Sequence, residues 1–302
     1  MRAPPCRHPG AGSRSGRDGN DRVTAPAGLK VVLVISAHAD DATLWCGGQI
    51  ITWAREGWHV VLVRATTDEN ASVGLSRETT IRVNQEEFRR AAALLGAAET
   101  VTLGFRDGLL TDSDRIPLRE QLIHLYRKYR PYTTLSFDPY SMLYENNQDH
   151  LTVARAADEA FWMAMCDKYV VSDLEAGLDL HGVFERWYFG RRLPEVTDWI
   201  DIGDVMDAKI EAATAQATMM RDTLHQLELM SRTAGISIPG FPAAHDGDVR
   251  PLVELLLKSG DAPAGVRHGC AFAEEFRTVR FAALSGSQVD LLKGQQTARS
   301  GE

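Results

Sequence analysis

A chain of 302 residues, 44% hydrophobic and 25% charged, has the make-up of a globular protein, which excludes wholesale disorder. Its apolar runs, such as 31–35 and 160–166, fall far short of the roughly 20 apolar residues that cross a bilayer, which argues against an integral membrane protein. The formal charge of -8 is unevenly spread: residues 1–28 hold five Arg against two Asp, leaving about -11 on the rest, and a body that acidic speaks against nucleic acid as a partner.

Length divided by about 150 gives a prior near two domains, but α/β folds often run to about 250 residues as one, and that reading is favoured. Residues 1–28 contain five Gly and four Pro and no apolar segment suited to secretion, so they are expected to form a disordered extension. The Arg and Ser content would suit a transit peptide, but Asp18, Asp21 and the lack of amphipathic periodicity argue against one. The cysteines (Cys6, Cys46, Cys166, Cys270) are scattered without a CxxC pair, which points to reduced thiols in a cytoplasm.

From residue 30 the chain alternates. Lys30–Ser36 is a β-branched run that suits a strand covered on both faces of a parallel sheet. The spacing of Leu44, Ile50, Ile51 and Ala54 predicts a helix over 43–56 closed by Gly57. A strand over 59–66 follows, then a helix over 78–95 stopped by Gly96, a strand over 100–103, a helix over 117–129 and a strand over 133–137. This alternation predicts an α/β fold: a doubly wound, mostly parallel sheet with helices on both faces and right-handed crossovers. The second half is less regular, with a helix expected over 150–164, a strand over 183–190 and one long helix from Val205 to about Ser231. Gly235–Gly247 reads as a long loop and the residues after about Gly286 as polar, so the expected globular body is 29–287 with a tail over 288–302.

Two segments carry the chemistry. Ala37-His38-Ala39-Asp40-Asp41 stands at the C-terminal end of the first strand, the edge where open α/β sheets bind ligands. His38 and Asp41 can converge on one ion from a tight turn while Asp40 faces a water, and Gly47-Gly48 permits close approach; the plainer alternative is a satisfied turn with an Asp capping the helix. Asn147-Gln148-Asp149-His150 follows a later strand and should face the same crevice. Two imidazoles and carboxylates fit zinc with three protein ligands and an open position, and Fe(II) fits the same donors.

These motifs together resemble the LmbE-like or PIG-L-like zinc-dependent de-N-acetylases. The family's His-Pro-Asp-Asp stands here as His38-Ala39-Asp40-Asp41, and its His-Pro-Asp-His as Asn147-Gln148-Asp149-His150. Glu87–Gly96 is similar to its Glu-containing helix, Leu103–Gly108 to its Leu-Gly-(aromatic)-x-Asp-Gly loop, Arg130–Pro139 to its strand ending in Asp-Pro, with Tyr132 for the first Asp, and Ala273–Arg277 to its closing Ala-Glu-x-Phe-Arg. The order and spacing match over about 29–160 and again near 270. The resemblance implies that His38, Asp41 and His150 bind zinc, that Asp40 is the general base, and that Arg106, Asp107 and Asp138 face a substrate. It implies a small-molecule N-acylated amino sugar or glycoside as that substrate, and leaves open a homo-oligomer, an amidase acting on a non-sugar amide or thiol conjugate, and a metal-binding protein with little hydrolase activity; the acidic body and the short apolar runs argue against a nucleic-acid or membrane partner.

Departures from the pattern bear on the chemistry. Asn147 stands where the family has a His expected to stabilise an oxyanion or protonate the leaving amine; an Asn amide can donate to an oxyanion but supplies no proton. Asp40, His245 and His268 are then the candidates for that proton. Gln216 stands where many members have a His, a further sign of a divergent pocket. Trp45, Trp53, Trp58, Cys46 and the methionines Met206, Met219, Met220 and Met230 read as packing.

Overall fold

The structure is a computed structural model that describes residues 30–141, 144–237 and 247–280. The extension over 1–28, the tail over 288–302 and His245, with most of the expected 235–247 loop, lie outside the described residues. In chain order the first half runs β1 (Val31–Ser36), α1 (Asp41–Arg55), β2 (His59–Thr66), α2 (Arg77–Leu95), β3 (Glu99–Phe105), α3 (Asp112–Tyr129), β4 (Thr133–Phe137) and α4 (Gln148–Met163). The second half runs α5 (Val171–Glu175), β5 (Glu185–Phe189), β6 (Asp198–Asp201), α6 (Met206–Thr214), α7 (Ala217–Thr233), α8 (Arg250–His268) and β7 (Ala273–Arg280).

The strands form one seven-stranded sheet in the order β3-β2-β1-β4-β5-β7-β6. Strands β1 to β5 pair in parallel, and β7 runs antiparallel to both β5 and β6. Helices cover both faces, as the alternation predicted. On one face Leu33, Ile35, Val61 and Val63 pack with Leu122 and Tyr126 of α3 and Val153 of α4. On the other, Val32, Val34, Val60 and Leu62 pack with Ile50 of α1, Phe88 of α2, Ile210 of α6 and Val253 of α8. Successive residues of β1 thus enter opposite cores, which is why that strand is apolar at nearly every position.

The chain moves outward from β1 through β2 to β3, then returns to place β4 on the other side of β1. The C-terminal ends of β1 and β4 therefore part at the switch point of the sheet, where such folds open a crevice. The loops that follow these two strands carry the two motifs.

The structure departs from the sequence reading in the second half. The helix expected over 205–231 breaks at Gln216, whose backbone is non-helical (φ -94°, ψ 46°), which separates α6 from α7. Met206, Met219 and Met220 are buried as expected, while Met230 is exposed. Helix α8 and strands β6 and β7 were not expected; α8 carries Gly260, Pro263 and Gly265 inside it, residues that oppose a helix by propensity. Gly265 is needed there, since a Cβ would lie 2.5 Å from the carbonyl oxygen of Ala271.

Helix α1 is itself broken, with Cys46 non-helical (φ -145°, ψ 18°). The break leaves the Gly48 and Gln49 N–H groups to donate to the two Glu274 carboxylate oxygens, each at 2.8 Å. Gly48 is packed so closely that a Cβ would fall 2.4 Å from Ile202 Cγ2. The Gly pair and the closing Ala-Glu-x-Phe-Arg segment, 226 residues apart, thus form one contact that seats α1 and the loop before it.

Candidate metal centre and active-site cavity

At the C-terminal end of β1 the chain turns sharply, and Asp41 holds the turn: its Oδ2 accepts from the Ala37 and His38 N–H groups at 3.1 and 2.8 Å. That leaves Asp41 Oδ1 facing His150 Nε2 at 3.2 Å, and His150 Nε2 facing His38 Nδ1 at 3.1 Å. The three residues are buried, with donor atoms within 4.8 Å of one another; His38 and Asp41 stand just beyond β1, and His150 in the first turn of α4, which follows β4.

The outer ring nitrogens of both histidines face carboxylates. His38 Nε2 faces Asp107 Oδ1 at 3.3 Å and Asp149 Oδ2 at 3.4 Å, while His150 Nδ1 faces Glu145 Oε2 at 3.0 Å. With an ion bound, the protons belong on His38 Nε2 and His150 Nδ1, which face these acceptor carboxylates, and the inner nitrogens can coordinate. Two lone pairs and a carboxylate oxygen aimed at one point fit a divalent ion such as zinc.

The electrostatics agree. Burial alone would lower His150, but the Asp41 charge and then the Glu145 contact push it up to about 9. His38 rises likewise against burial through Asp107, Asp149 and Asp41. Burial would raise Asp41, yet His150 and His38 hold it well below the usual carboxylate range. The pocket favours positive charge at the point where these residues meet.

Asp40 differs from its neighbour. It occupies the N-cap of α1 but makes no side-chain capping bond, and burial followed by the Asp41 charge raises its carboxyl to about 7. It faces a cavity of about 530 Å3 lined also by His38, Asp41, Asp107, Asn147 and His150, with Trp45 of α1, Asp222 of α7 and Leu257 of α8. Asn147 caps α4 by accepting from the Asp149 N–H at 2.9 Å through Oδ1, so its NH2 is the end available to an acceptor in the cavity.

Two expected substrate-facing residues are placed elsewhere. Asp138 is buried with its oxygens bound by Arg277 Nε at 2.6 Å and Nη2 at 3.2 Å, and it does not line the cavity. The cause is β7, unseen in the sequence, which brings Arg277 beside the end of β4. Arg106 has a side chain 63% exposed and turned to Glu69 at 3.3 Å. Asp107 does line the cavity, beside His38. His268 is held by Glu275 at 2.8 Å and stacked on Trp199, away from the cavity. Trp53 and Trp58 stack on each other as packing, but Trp45 lines the cavity.

The sequence reading missed Glu145, Asp149 as a partner of His38, and the use made of Gln216. Asp149 accepts from the Gly108 and Leu110 N–H groups at 2.7 and 3.0 Å, binding the Asp-Gly loop to α4. Glu87 of the Glu-containing helix accepts from the Thr218 N–H at 2.9 Å and hydroxyl at 3.0 Å, anchoring the first turn of α7. An acid five residues before His150 was the signal available for Glu145.

The profile of the family described as PIG-L: GlcNAc-PI de-N-acetylase matches residues 33–161. The diacetylchitobiose deacetylase of Thermococcus kodakarensis is 30% identical over 205 residues, covering 66% of this chain and 73% of that protein. The chain belongs to the PIG-L (LmbE-like) family. Another similar PIG-L relative is the 1D-myo-inositol 2-acetamido-2-deoxy-alpha-D-glucopyranoside deacetylase 1 of Saccharopolyspora erythraea, 27% identical over 289 residues, or 79% of this chain and 92% of that one. In fold, this PIG-L chain is similar to the N,N'-diacetylchitobiose deacetylase from Pyrococcus horikoshii, with a TM-score of 0.68 and 24% identity over 85% of this chain and 87% of that one.

Proposed function

We propose that this PIG-L chain is a zinc-dependent hydrolase that removes an acetyl or related acyl group from the nitrogen of an amino sugar or N-acetylglucosaminyl-type glycoside in small-metabolite biosynthesis. The observation that carries the reading is the convergence of His38 Nδ1, His150 Nε2 and Asp41 beside the uncapped Asp40 in one cavity. The deacetylase names of its relatives, both acting on acetylated amino sugars by those names, support the substrate class. We place the protein in a cytoplasm because its cysteines show no CxxC pair and no framework spacing. Among the described residues no helix is long and apolar enough to cross a membrane.

His38, Asp41 and His150 would hold the ion, which when bound supplies Lewis acidity toward an amide carbonyl and toward water. The chain's own groups do the rest. Asp40 takes a proton from the attacking water as its oxygen adds to the acyl carbon. The Asn147 NH2 donates to the carbonyl oxygen as negative charge develops there. Asn147 has no proton to give and His268 is committed to Glu275; Asp40, which holds the proton taken from water, returns it to the amine nitrogen as the C–N bond breaks. Acetate and the free amine leave. Asp107 holds His38 and presents a carboxylate edge to sugar hydroxyls in the same cavity.

Acetate release from a panel of N-acetylglucosaminides by zinc-loaded protein tests the reading, alongside metal content for wild type and His150→Ala. About one ion per chain, lost in His150→Ala, with acetate released, is the expected result. Metal bound without release from any N-acyl sugar or other amide would instead favour a metal-binding protein with little hydrolase activity.

A further inference from the structure

Strand β2 alternates its side chains between the two cores. Val60 and Leu62 enter the core formed with α1 and α2, and Arg64 follows them onto the same face, its guanidinium over the Phe88 ring of α2 at 5.0 Å. Arg64 is almost fully buried there. It donates through Nη1 to Asp68 Oδ2 at 2.6 Å and through Nη2 to the Thr102 hydroxyl at 3.2 Å and to Gln85, while its Nε has no partner among the described residues. Asp68 is fully buried and holds a left-handed backbone, with φ 53°. Two other non-glycine residues among those described have positive φ, Arg130 and Val170, and both cap helices. Asp68 stands instead in the loop after β2, at the edge of the sheet that carries the metal centre.

Each of these features opposes folding. A left-handed non-glycine residue is strained, and a buried N–H without an acceptor forfeits a hydrogen bond. An apolar pair of similar volume is often at least as stable as a buried ion pair. Burial pushes the Asp68 carboxyl up although Arg64 opposes it, the direction expected where ionisation is disfavoured.

What the arrangement fixes is the loop over 67–71. The Thr66 hydroxyl lies 2.9 Å from both Asp68 Oδ1 and the Ala37 carbonyl oxygen, which ties the loop to the turn before His38. The Asp68 carbonyl accepts from the Ala71 N–H and the Asn84 amide, each at 3.2 Å. The two residues after Asp68 then hold Asp107. Glu69 Oε2 accepts from the Asp107 N–H at 2.9 Å; Asn70 donates from its own N–H to Asp107 Oδ2 at 3.1 Å and from its amide to the Asp107 carbonyl at 2.8 Å. Asp107 and Asn70 line the cavity, whereas Arg64 and Asp68 do not.

We infer that Arg64 and Asp68 are positioning residues, a buried clamp that holds the 67–71 loop in the conformation that aims Asp107 and Asn70 into the cavity. They act on the bound sugar through Asp107. The inference rests on the deacylase reading, in which Asp107 meets sugar hydroxyls. Strain and buried charge persist beside a site where the site needs the geometry they enforce.

The decisive variant is Arg64→Leu with Asp68→Gly, which removes the ion pair, relieves the left-handed residue and adds a third apolar side chain after Val60 and Leu62. The zinc-loaded full chain should melt at or above the wild-type temperature and keep its metal, since His38 Nε2 still faces Asp149. For acetate release from the methyl glycoside of N-acetylglucosamine, kcat/KM should fall about tenfold or more, mainly through KM, because the misplaced carboxylate meets hydroxyls and not the reacting atoms. In an Asp107→Ala background the same two substitutions should cost less than about twofold, the mark of residues that act through Asp107. Asp68→Asn tolerates the left-handed backbone and still accepts from Arg64, so it should recover most of the wild-type KM. A double variant that melts below wild type, an unchanged KM, or an equal loss with and without the Asp107 carboxylate overturns the inference and leaves the deacylase reading intact. If the wild type releases no acetate from any N-acyl sugar, that reading fails and hydrogen exchange decides the clamp. Faster exchange over 67–71 and 106–108 in the double variant, without a lower melting temperature, supports it; unchanged exchange overturns it.

Discussion

Gln216 Nε2 donates to the carbonyl oxygen of Ala39 at 2.7 Å, so the break between α6 and α7 is fastened to the loop that carries His38, Asp40 and Asp41. Both residues are fully or almost fully buried, and 177 residues separate them. The position that read as a sign of a divergent pocket is a support for the metal loop. Gln216→Ala leaves a buried carbonyl without its donor, which costs about 1 to 3 kcal/mol. Urea denaturation should show that loss as a lower midpoint at unchanged slope, and an unshifted midpoint would remove the supporting role.

Glu145 supports the other half of the centre. Its Oε2 lies 3.0 Å from His150 Nδ1 and its Oε1 accepts from the Asn147 N–H at 2.9 Å. These contacts, against the opposing effect of burial, hold its carboxyl down to about 2, so it faces His150 as a carboxylate at every working pH. Glu145→Gln should weaken zinc retention about 10- to 100-fold in a competition titration with a chelator. Wild-type affinity in that variant would show that His150 is oriented without Glu145.

Asp40 and Asp41 are adjacent in sequence and opposite in use. Asp41 has one oxygen on the turn N–H groups and the other toward His150, whereas Asp40 makes no capping bond and faces the cavity. Asp40→Asn should keep its ion and lose roughly two to four orders of magnitude in turnover, the usual worth of a general base. Asp41→Asn should lose the ion. The reverse pattern in metal analysis of the two variants means that the roles are exchanged.

Asn147 has its Oδ1 occupied by the Asp149 N–H, so only its NH2 can meet an oxyanion. Asn147→Ala should cost about 3 kcal/mol of transition-state stabilisation, or about a hundredfold in kcat, with metal content unchanged. Asn147→His restores an acid and should match or exceed wild type if the ring fits. Equal activity of Asn147→Ala and wild type on every acyl substrate would falsify the oxyanion role.

The sequence by itself determined the parallel half of the sheet and pointed to the two motifs, at the ends of β1 and β4, whose resemblance to the family implied a metal site. Those signals are local: a β-branched run covered on both faces, helical spacing closed by Gly96 in a left-handed conformation, and His and Asp at the ends of β1 and β4. Alternation predicts a doubly wound sheet but not its strand order; the observed order β3-β2-β1-β4 puts the switch point between β1 and β4 and so brings the two motifs together. Only the tertiary structure decided where Asp138, Gln216 and Glu145 point. Asp138 looked like a cavity residue until β7 supplied Arg277 from 139 positions away, and α8 formed across Gly260, Pro263 and Gly265 because packing against β7 and α6 outweighs weak propensity. A strand end or a helix period is written in neighbouring residues, whereas the partner of a buried carboxylate or amide is chosen by whichever distant donor the finished packing brings within hydrogen-bond reach.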